Sequence, residues 1–188
     1  MQLNFKKKIG QGSERDCWTH PLNPRLCVKT TRNFKNDRNQ NCLDYYYYKK
    51  ISKYQDAMLH VPRIIGWEQT DHGSGLVVER VLNHDGSPSY SLNHHMLCKK
   101  TTPQEAIRMI QSCFAVMLRH GIVVSDECPS NFLVQELEQQ KRLVIIDGLG
   151  HRRINIKSYL RDHFRFYANQ KTKETKNHLL YYTNCFSR

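Results

Sequence analysis

The sequence predicts an α+β protein, and three observations carry that reading. Residues 3 to 30 alternate apolar and polar positions between turn signals, as an antiparallel meander does. "VPRIIGWEQT" and "GLVVERVL" flank "DHGSG" and read as a hairpin. "TTPQEAIRMIQSCFAVMLRHG" carries apolar residues at helical spacing.

The first elements are the strands "LNFKKKIG", "RDCWTH" and "RLCVKT", joined by a glycine turn and by "PLNP". "CLDYYYYKKISKYQ" (42 to 55) holds no Gly or Pro and is long enough for a helix, although its four tyrosines pull toward strand. We read it as a helix. The following hairpin alternates as a sheet with one wet face requires. Thr102, Pro103 and Glu105 then form a capping box with Pro at the first helical position. Ile107, Ile110, Phe114, Met117 and Leu118 make that helix's buried face, and Gly121 sits where a C-terminal glycine belongs. Residues 122 to 150 read as a short loop, a strand Phe132–Glu136, a polar turn and a strand over 142–146 that ends at an aspartate and glycines. "NIKSYLRDHFRFYANQ" can form one helix and "NHLLYYTN" a second. There is no internal repeat and no low-complexity linker.

A chain of 188 residues with 39% hydrophobic content can bury one core, or two small lobes sharing one. No stretch approaches the roughly 18 consecutive apolar residues of a membrane span. "MQLNFKKKIGQG" lacks the apolar core of a signal peptide, so a soluble protein of the cytosol is expected. Seven cysteines, odd in number and without a CxxC pair, argue against a disulfide framework and a zinc ribbon and fit a reducing compartment. His94, His95 and Cys98 have ligand-like spacing but no second pair nearby, and we read "HHMLC" as a polar loop. The net charge of +12 suits nucleic acid, an anionic membrane surface or phosphorylated ligands alike. It concentrates in "KTTRNFKNDRN" and in the tail from His151 rather than in one stripe, which a solvated face explains equally well.

Chemistry enters with the order of the motifs. "GQGSERDCW" places Gly10 and Gly12 in a turn ahead of Lys29 in "LCVKT". "SDECPSNFL" supplies Asp126 and Asn131 in the D-x-x-P-x-N spacing of a kinase catalytic loop, and "VIIDGLG" supplies Asp147, 21 residues after Asp126. Phosphoryl transfer needs these types: a carboxylate to orient the hydroxyl and accept its proton, a cation for the phosphates, and hard oxygens for Mg²⁺. Taken singly, each has a plainer reading. The glycines can be a hairpin turn, Lys29 a surface lysine and Asp44 a solvated helix charge. Asp126 can cap a turn, Asn131 can satisfy loop backbone, and Asp147 before Gly148 is ordinary turn chemistry. Their joint occurrence in this order favours phosphoryl chemistry.

In these residues the chain resembles the protein-kinase-like superfamily and, more closely, the bacterial YrbL family of PhoP regulatory network proteins. The likeness runs through "GQGSERDCWTHP", "LCVKT", "LDYYYYKKI", "VPRIIGWEQTDHGSGLVVERV", "PSNFL" and "VIIDGLG", most of residues 8 to 150. It implies a two-lobed kinase-like fold in a single domain over 1–188, with a small antiparallel-sheet N-lobe over about 1–83 and a truncated, mainly helical C-lobe over about 84–188. By position it implies that Gly10 and Gly12 admit the ATP phosphates and that Lys29 contacts the α- and β-phosphates. Asp44 falls at the helix acid that pairs with this lysine, one methylene shorter than the usual glutamate. The resemblance further implies that Glu79, Arg80 and Val81 form the hinge facing adenine, that Asp126 is the base, and that Asn131 and Asp147 hold Mg²⁺.

Several positions depart from the pattern. Arg15 replaces the third glycine, where its guanidinium can reach phosphate or brace the strand. Val124 and Ser125 replace the His-Arg before the catalytic aspartate, which argues against switching by loop phosphorylation. Cys128 stands where a cation often contacts the transferred phosphate, and Gly148 and Leu149 replace Phe-Gly. The chain runs 41 residues past Asp147, too few for the activation segment and lower-lobe helices of a full protein kinase. The expected function is an ATP- and Mg²⁺-dependent phosphotransferase acting on a protein or small-molecule hydroxyl, in a bacterial cytoplasm or, as a secreted effector, in a host cell. The alternatives are a pseudokinase-type nucleotide-binding regulatory module and a basic binding protein without catalysis, for which nucleic acid is the less favoured partner.

Overall fold

The computed structural model describes Phe5 and residues 7–32, 40–151, 160 and 164–187. The chain divides into two compact units, Met1–Lys50 with Pro62–Arg80, and Ile51–Val61 with Val81–Arg188.

In the first unit the described residues form a mixed arrangement of one antiparallel sheet and a helix. Strands β1 (Lys8–Gln11), β2 (Arg15–Thr19), β3 (Leu26–Thr31), β4 (Ile64–Thr70) and β5 (Gly73–Glu79) lie in the order β1-β2-β3-β5-β4. The meander and the hairpin form as their alternation predicts, but the hairpin does not keep one wet face. Strand β5 sits between β3 and β4, and its residues Gly75 to Val78 are buried without a break. Val28 and Val77 pack with Phe5 and Leu26 in one cluster, whereas Cys27, Leu76 and Val78 pack with Cys17, Tyr45, Ile64 and Trp67 in another. Neighbouring strand residues alternate between these clusters because side chains point to opposite faces at a period of two. The part of the basic stretch at 33–39 lies outside the described residues, as do 1–4 and Lys6 of the first predicted strand.

Helix α1 (Gln40–Ile51) stops short of the predicted end at 55. A turn over 52–54 follows, then the single turn α2 (Gln55–Met58). The tyrosines are tolerated because they spread round the helix. Tyr45 packs edge-on to Trp67 at 5.9 Å, Tyr47 is buried, and Lys49 and Lys50 lie over the rings of Tyr45 and Tyr47.

The second unit carries a small antiparallel sheet, β6 (Tyr90–Ser91), β7 (Phe132–Glu136) and β8 (Lys141–Ile145), with helices α3 (Leu92–Leu97), α4 (Pro103–His120) and α5 (Arg165–Asn184). "HHMLC" lies on α3 and its C-cap rather than in a polar loop. Ser91 caps that helix by accepting the His94 amide, and His95 turns inward to the Thr101 hydroxyl at 3.0 Å. The capping box of α4 forms as predicted: Thr102 Oγ1 accepts the Glu105 amide and Glu105 Oε2 accepts the Thr102 amide. Gly121 ends the helix at φ 63°, the left-handed cap that glycine favours. Ile110, Phe114 and Met117 are buried, joined by Ala106, Met109 and Cys113, whereas Ile107 and Leu118 flank the face half-buried. Leu160, inside the first predicted tail helix, is helical and Phe164 is not, and α5 then carries the end of the first prediction and all of the second and packs on α4; residues 155–159 and 161–163 of the first lie outside the described set. Among the described residues no helix is long and apolar enough to cross a membrane.

Burial of histidine makes this unit pH-sensitive. His60 Nδ1 meets the Leu143 carbonyl at 2.7 Å while the Ile145 amide donates to the His60 carbonyl at 2.8 Å, tying the 59–61 turn to β8. Burial lowers the pKa of His60, and of His95, below the ordinary histidine value. Well above the ordinary histidine pKa of about 6.5 both histidines are neutral folded or unfolded, so they add no pH dependence. As pH falls through that value the unfolded chain takes up the protons first, and stability drops. Chemical denaturation from pH 7.5 to 5.0 is expected to show this loss, and His60→Gln, which keeps a donor for Leu143, to flatten it.

Candidate functional site

In the first unit the sheet register gathers two of the predicted residues. Gly10, Cys17, Lys29 and Leu76 form one row across β1, β2, β3 and β5, so Gly10 and Lys29 stand on either side of Cys17. Directly paired residues of antiparallel strands share a face, so the Cys17 and Lys29 side chains emerge together. A Cβ added to Gly10 would meet Cys17 Cβ at 3.6 Å, and one added to Gly12 would meet the Arg15 carbonyl at 3.5 Å, both ordinary contacts. Neither glycine has the left-handed φ that would demand it. The protein's own packing therefore does not require glycine here, and what the two residues provide is bare backbone at the hairpin.

The hairpin tip is closed by the Gly12 amide on the Arg15 carbonyl at 2.8 Å and steadied from β3 by the Arg32 amide on the Glu14 carbonyl at 2.9 Å. Arg15 is buried, and its guanidinium braces the strand: Nη1 reaches Asp44 Oδ2 at 2.6 Å and Asn41 Oδ1 at 3.2 Å. The other Asp44 oxygen accepts from Gln40 Nε2 at 3.0 Å. Asn41, fully buried, in turn donates to the Lys29 carbonyl at 2.8 Å. The helix acid, the arginine in the third-glycine position and the backbone of the strand lysine thus form one connected network. Asn41 escaped sequence reasoning because a lone asparagine at a helix start reads as a cap.

At the expected hinge, Glu79 Oε1 pairs with Arg63 Nε at 3.3 Å and its amide donates to the Arg63 carbonyl. The Arg80 amide donates to the Arg25 carbonyl, and in the second unit the Val81 carbonyl accepts the Ser89 amide.

The second unit brings Asp126, Asn131 and Asp147 onto one loop-strand-strand unit. The Ser125 amide donates to the Gly148 carbonyl at 2.8 Å and the Ile146 amide to the Asn131 carbonyl at 2.9 Å, so the segments on either side of Asp147 are stitched to both ends of the 125–131 loop. Val124 and Leu149 form an isolated bridge alongside. Gly148 is indispensable there: its φ is 82°, and an added Cβ would overlap Asp126 Cβ. This explains why glycine follows the second aspartate. Asp126 Oδ1 accepts the Cys128 amide at 2.9 Å, and Asp147 Oδ1 accepts the Gly148 amide at 2.8 Å.

Helix α5 holds this loop from behind. Thr172 Oγ1 accepts the Val124 amide at 3.1 Å and lies 2.9 Å from the Ile122 carbonyl, and Thr175 Oγ1 donates to the Val124 carbonyl at 2.8 Å. Both threonines are fully buried. Lys171 pairs with Glu127 at 2.7 Å, which holds that carboxyl below its usual pKa. These are residues that sequence reasoning missed: "QKTKETK" reads as a solvated surface.

Oxygen donors of Asn131 and Asp147 suit Mg²⁺, which takes one or two protein carboxylates and completes its shell with water and phosphate. Among the described residues no three His, Cys, Asp or Glu side chains converge as a metal cluster.

The family described as PhoP regulatory network protein YrbL matches residues 1–183. Two similar curated proteins, each named "Uncharacterized protein YrbL" and coming from Escherichia coli (strain K12) and Shigella flexneri, are 22% identical over 156 residues. The match covers 80% of this chain and 73% of each relative.

Two substitutions test the supports of the site. Thr172→Val strands the Val124 amide and is expected to cost about 1–3 kcal/mol in denaturant unfolding. Asp44→Ala leaves the Arg15 guanidinium buried beside an empty place, and a loss of about 3–5 kcal/mol is expected, whereas replacing a solvated helix charge would change little.

Proposed function

The chain belongs to the family of the PhoP regulatory network protein YrbL, and from that membership and the geometry above we propose that it is an ATP- and Mg²⁺-dependent phosphotransferase of kinase-like two-lobed fold. The observation that carries the reading is the junction at Gly148, where glycine is obligatory because the backbone after Asp147 lies against Asp126. A carboxylate suited to accept a proton and a carboxylate suited to bind a cation are thereby held on adjoining segments, with Asn131 tied to the same junction. The bare backbone at Gly10, in one row with Lys29, and at Gly12 beside it supports the phosphate role of that hairpin.

In this reading Lys29 neutralises the α- and β-phosphates, and the amides near Gly10 and Gly12 lie under them. Asp126 orients the acceptor hydroxyl and takes its proton as the oxygen attacks the γ-phosphorus. Asn131 and Asp147 hold Mg²⁺, which when bound supplies charge neutralisation on the phosphate oxygens. Arg15 acts on this site through Asp44 and Asn41, by fixing β2, the strand that follows the glycine turn, to the helix that supports Lys29. The acceptor is a hydroxyl on a protein or a small molecule.

One observation favours a second reading, a nucleotide-binding regulatory module: Asp126 Oδ1 is engaged by the Cys128 amide as a local turn cap, and Cys128 brings no cation to the transferred phosphate.

Thermal unfolding with ATP, with and without Mg²⁺, separates these. A ligand at a hundredfold excess over its Kd stabilises the folded state by about 2.7 kcal/mol. A Mg²⁺-dependent rise lost in Asp147→Asn is expected, together with transfer of labelled γ-phosphate that is abolished in Asp126→Asn. A rise without transfer moves the assignment to the regulatory module. No rise at saturating ATP overturns both.

A further inference from the structure

We propose that Cys17 and Cys27 form a thiol modification site, in which a hydroperoxide oxidises Cys17 and Cys27 closes the product to a reversible disulfide across β2 and β3. The inference stands on the sheet and not on phosphotransfer. Cys17 pairs with Lys29 and Thr19 with Cys27, so the two cysteines are diagonal neighbours on one face, and they pack in the same cluster. Both are free thiols, Cys17 half-buried at the margin of the cluster and Cys27 buried within it.

Their chemistry is asymmetric. The neighbouring Cys27 thiol, helped by the positive charges of Lys29, Arg15 and Arg80, favours the Cys17 thiolate against the opposing effect of burial, so the Cys17 pKa is lowered to about 7. The influence of Cys17, together with burial, pushes Cys27 well up. A partly accessible thiolate among cations is the nucleophile, and the protonated neighbour is the resolving thiol.

The steps balance. The Cys17 thiolate attacks the terminal peroxide oxygen; an S–O bond forms, the O–O bond breaks, and hydroxide or alkoxide leaves. Cys17 is oxidised to the sulfenic acid and the peroxide is reduced. The Cys27 sulfur then attacks the Cys17 sulfur; the S–S bond forms, the S–O bond breaks, and water departs with the Cys27 proton. A disulfide needs its Cα atoms within about 7 Å, and diagonal neighbours of an antiparallel pair lie roughly at that limit. The bond therefore forms at the edge of its range and is readily reduced by a dithiol, which suits a switch in a reducing compartment.

The experiment treats the full-length protein with hydrogen peroxide, blocks residual thiols and digests with trypsin. Cleavage after Arg15, Arg25 and Lys29 places Cys17 in the peptide 16–25 and Cys27 in the peptide 26–29. The expected result is a linked 16–25/26–29 species within one chain, with loss of two hydrogens, reversed by dithiothreitol. In Cys27→Ala, Cys17 is expected to stop at a sulfenic acid that dimedone traps. Alkylation of Cys17 in untreated wild type is expected to rise with pH and level off above about pH 7, a profile that needs no variant. Oxidation of the exposed Cys42, Cys98, Cys128 or Cys185 with Cys17 still reduced, a disulfide joining two chains, or a Cys17 alkylation profile still rising through pH 8.5 would overturn the proposal.

Discussion

The second unit depends on a pair of buried hydroxyls. The segment from Ile122 to Val124 is fully buried without belonging to a regular strand, so its peptide groups need partners that no sheet provides. Thr172 partners the Ile122 carbonyl and the Val124 amide and Thr175 the Val124 carbonyl, while the Val123 carbonyl accepts the Gly150 amide, and α5 thereby becomes part of the loop's backbone bonding rather than a lid over its side chains. Everything that follows in the chain, from Ser125 against Gly148 to Asn131 against Ile146, is positioned from that anchored start. An aliphatic residue could fill the same volume but would leave the peptide groups bare, at the full desolvation cost.

The first unit solves the corresponding problem with charge. Arg15 and Asp44 are both removed from most solvent, with side-chain exposures of 8% and 13%, and a pair so placed is stable only when its remaining donors and acceptors are satisfied. Asn41 and Gln40 do this, and Asn41 carries the connection on to the Lys29 carbonyl. In the proposed function this network takes the place of a glycine at the third position. It trades the conformational freedom of the turn for a fixed attachment of β2 to α1.

The parts of the fold legible in the sequence were those whose signals are local. Turn residues marked the meander, and Thr102, Pro103, Glu105 and Gly121 bounded α4 at both ends. Where a face is buried by polar residues, the periodicity disappears. The buried stripe of α5 runs Ala168, Thr172, Thr175, Leu179 and Thr183, a regular helical spacing that looks hydrophilic because its members are mostly hydroxyls. For the same reason α3 passed for a loop: His95, one of its inward residues, counts as polar until Thr101 satisfies it. The residues of the candidate site were legible as types in order, and the brace was one of the two readings of Arg15; Asn41 and the α5 threonines were not legible, since each acts through a partner distant in sequence.

The closed hairpin tip bears on the entropy of whatever binds there. A glycine turn left to itself loses about 1–2 kcal/mol of backbone freedom per residue when a ligand orders it. Here Gly12 is already bonded to Arg15, Glu14 to Arg32, and Arg15 to helix α1. In the proposed function, ordering is therefore borne by folding and not by recognition, and an anion arriving at Gly10 and Gly12 would meet a surface with little freedom left to lose. Affinity at such a turn is set by the direction of its amides, and the loop is a rigid template rather than a flap.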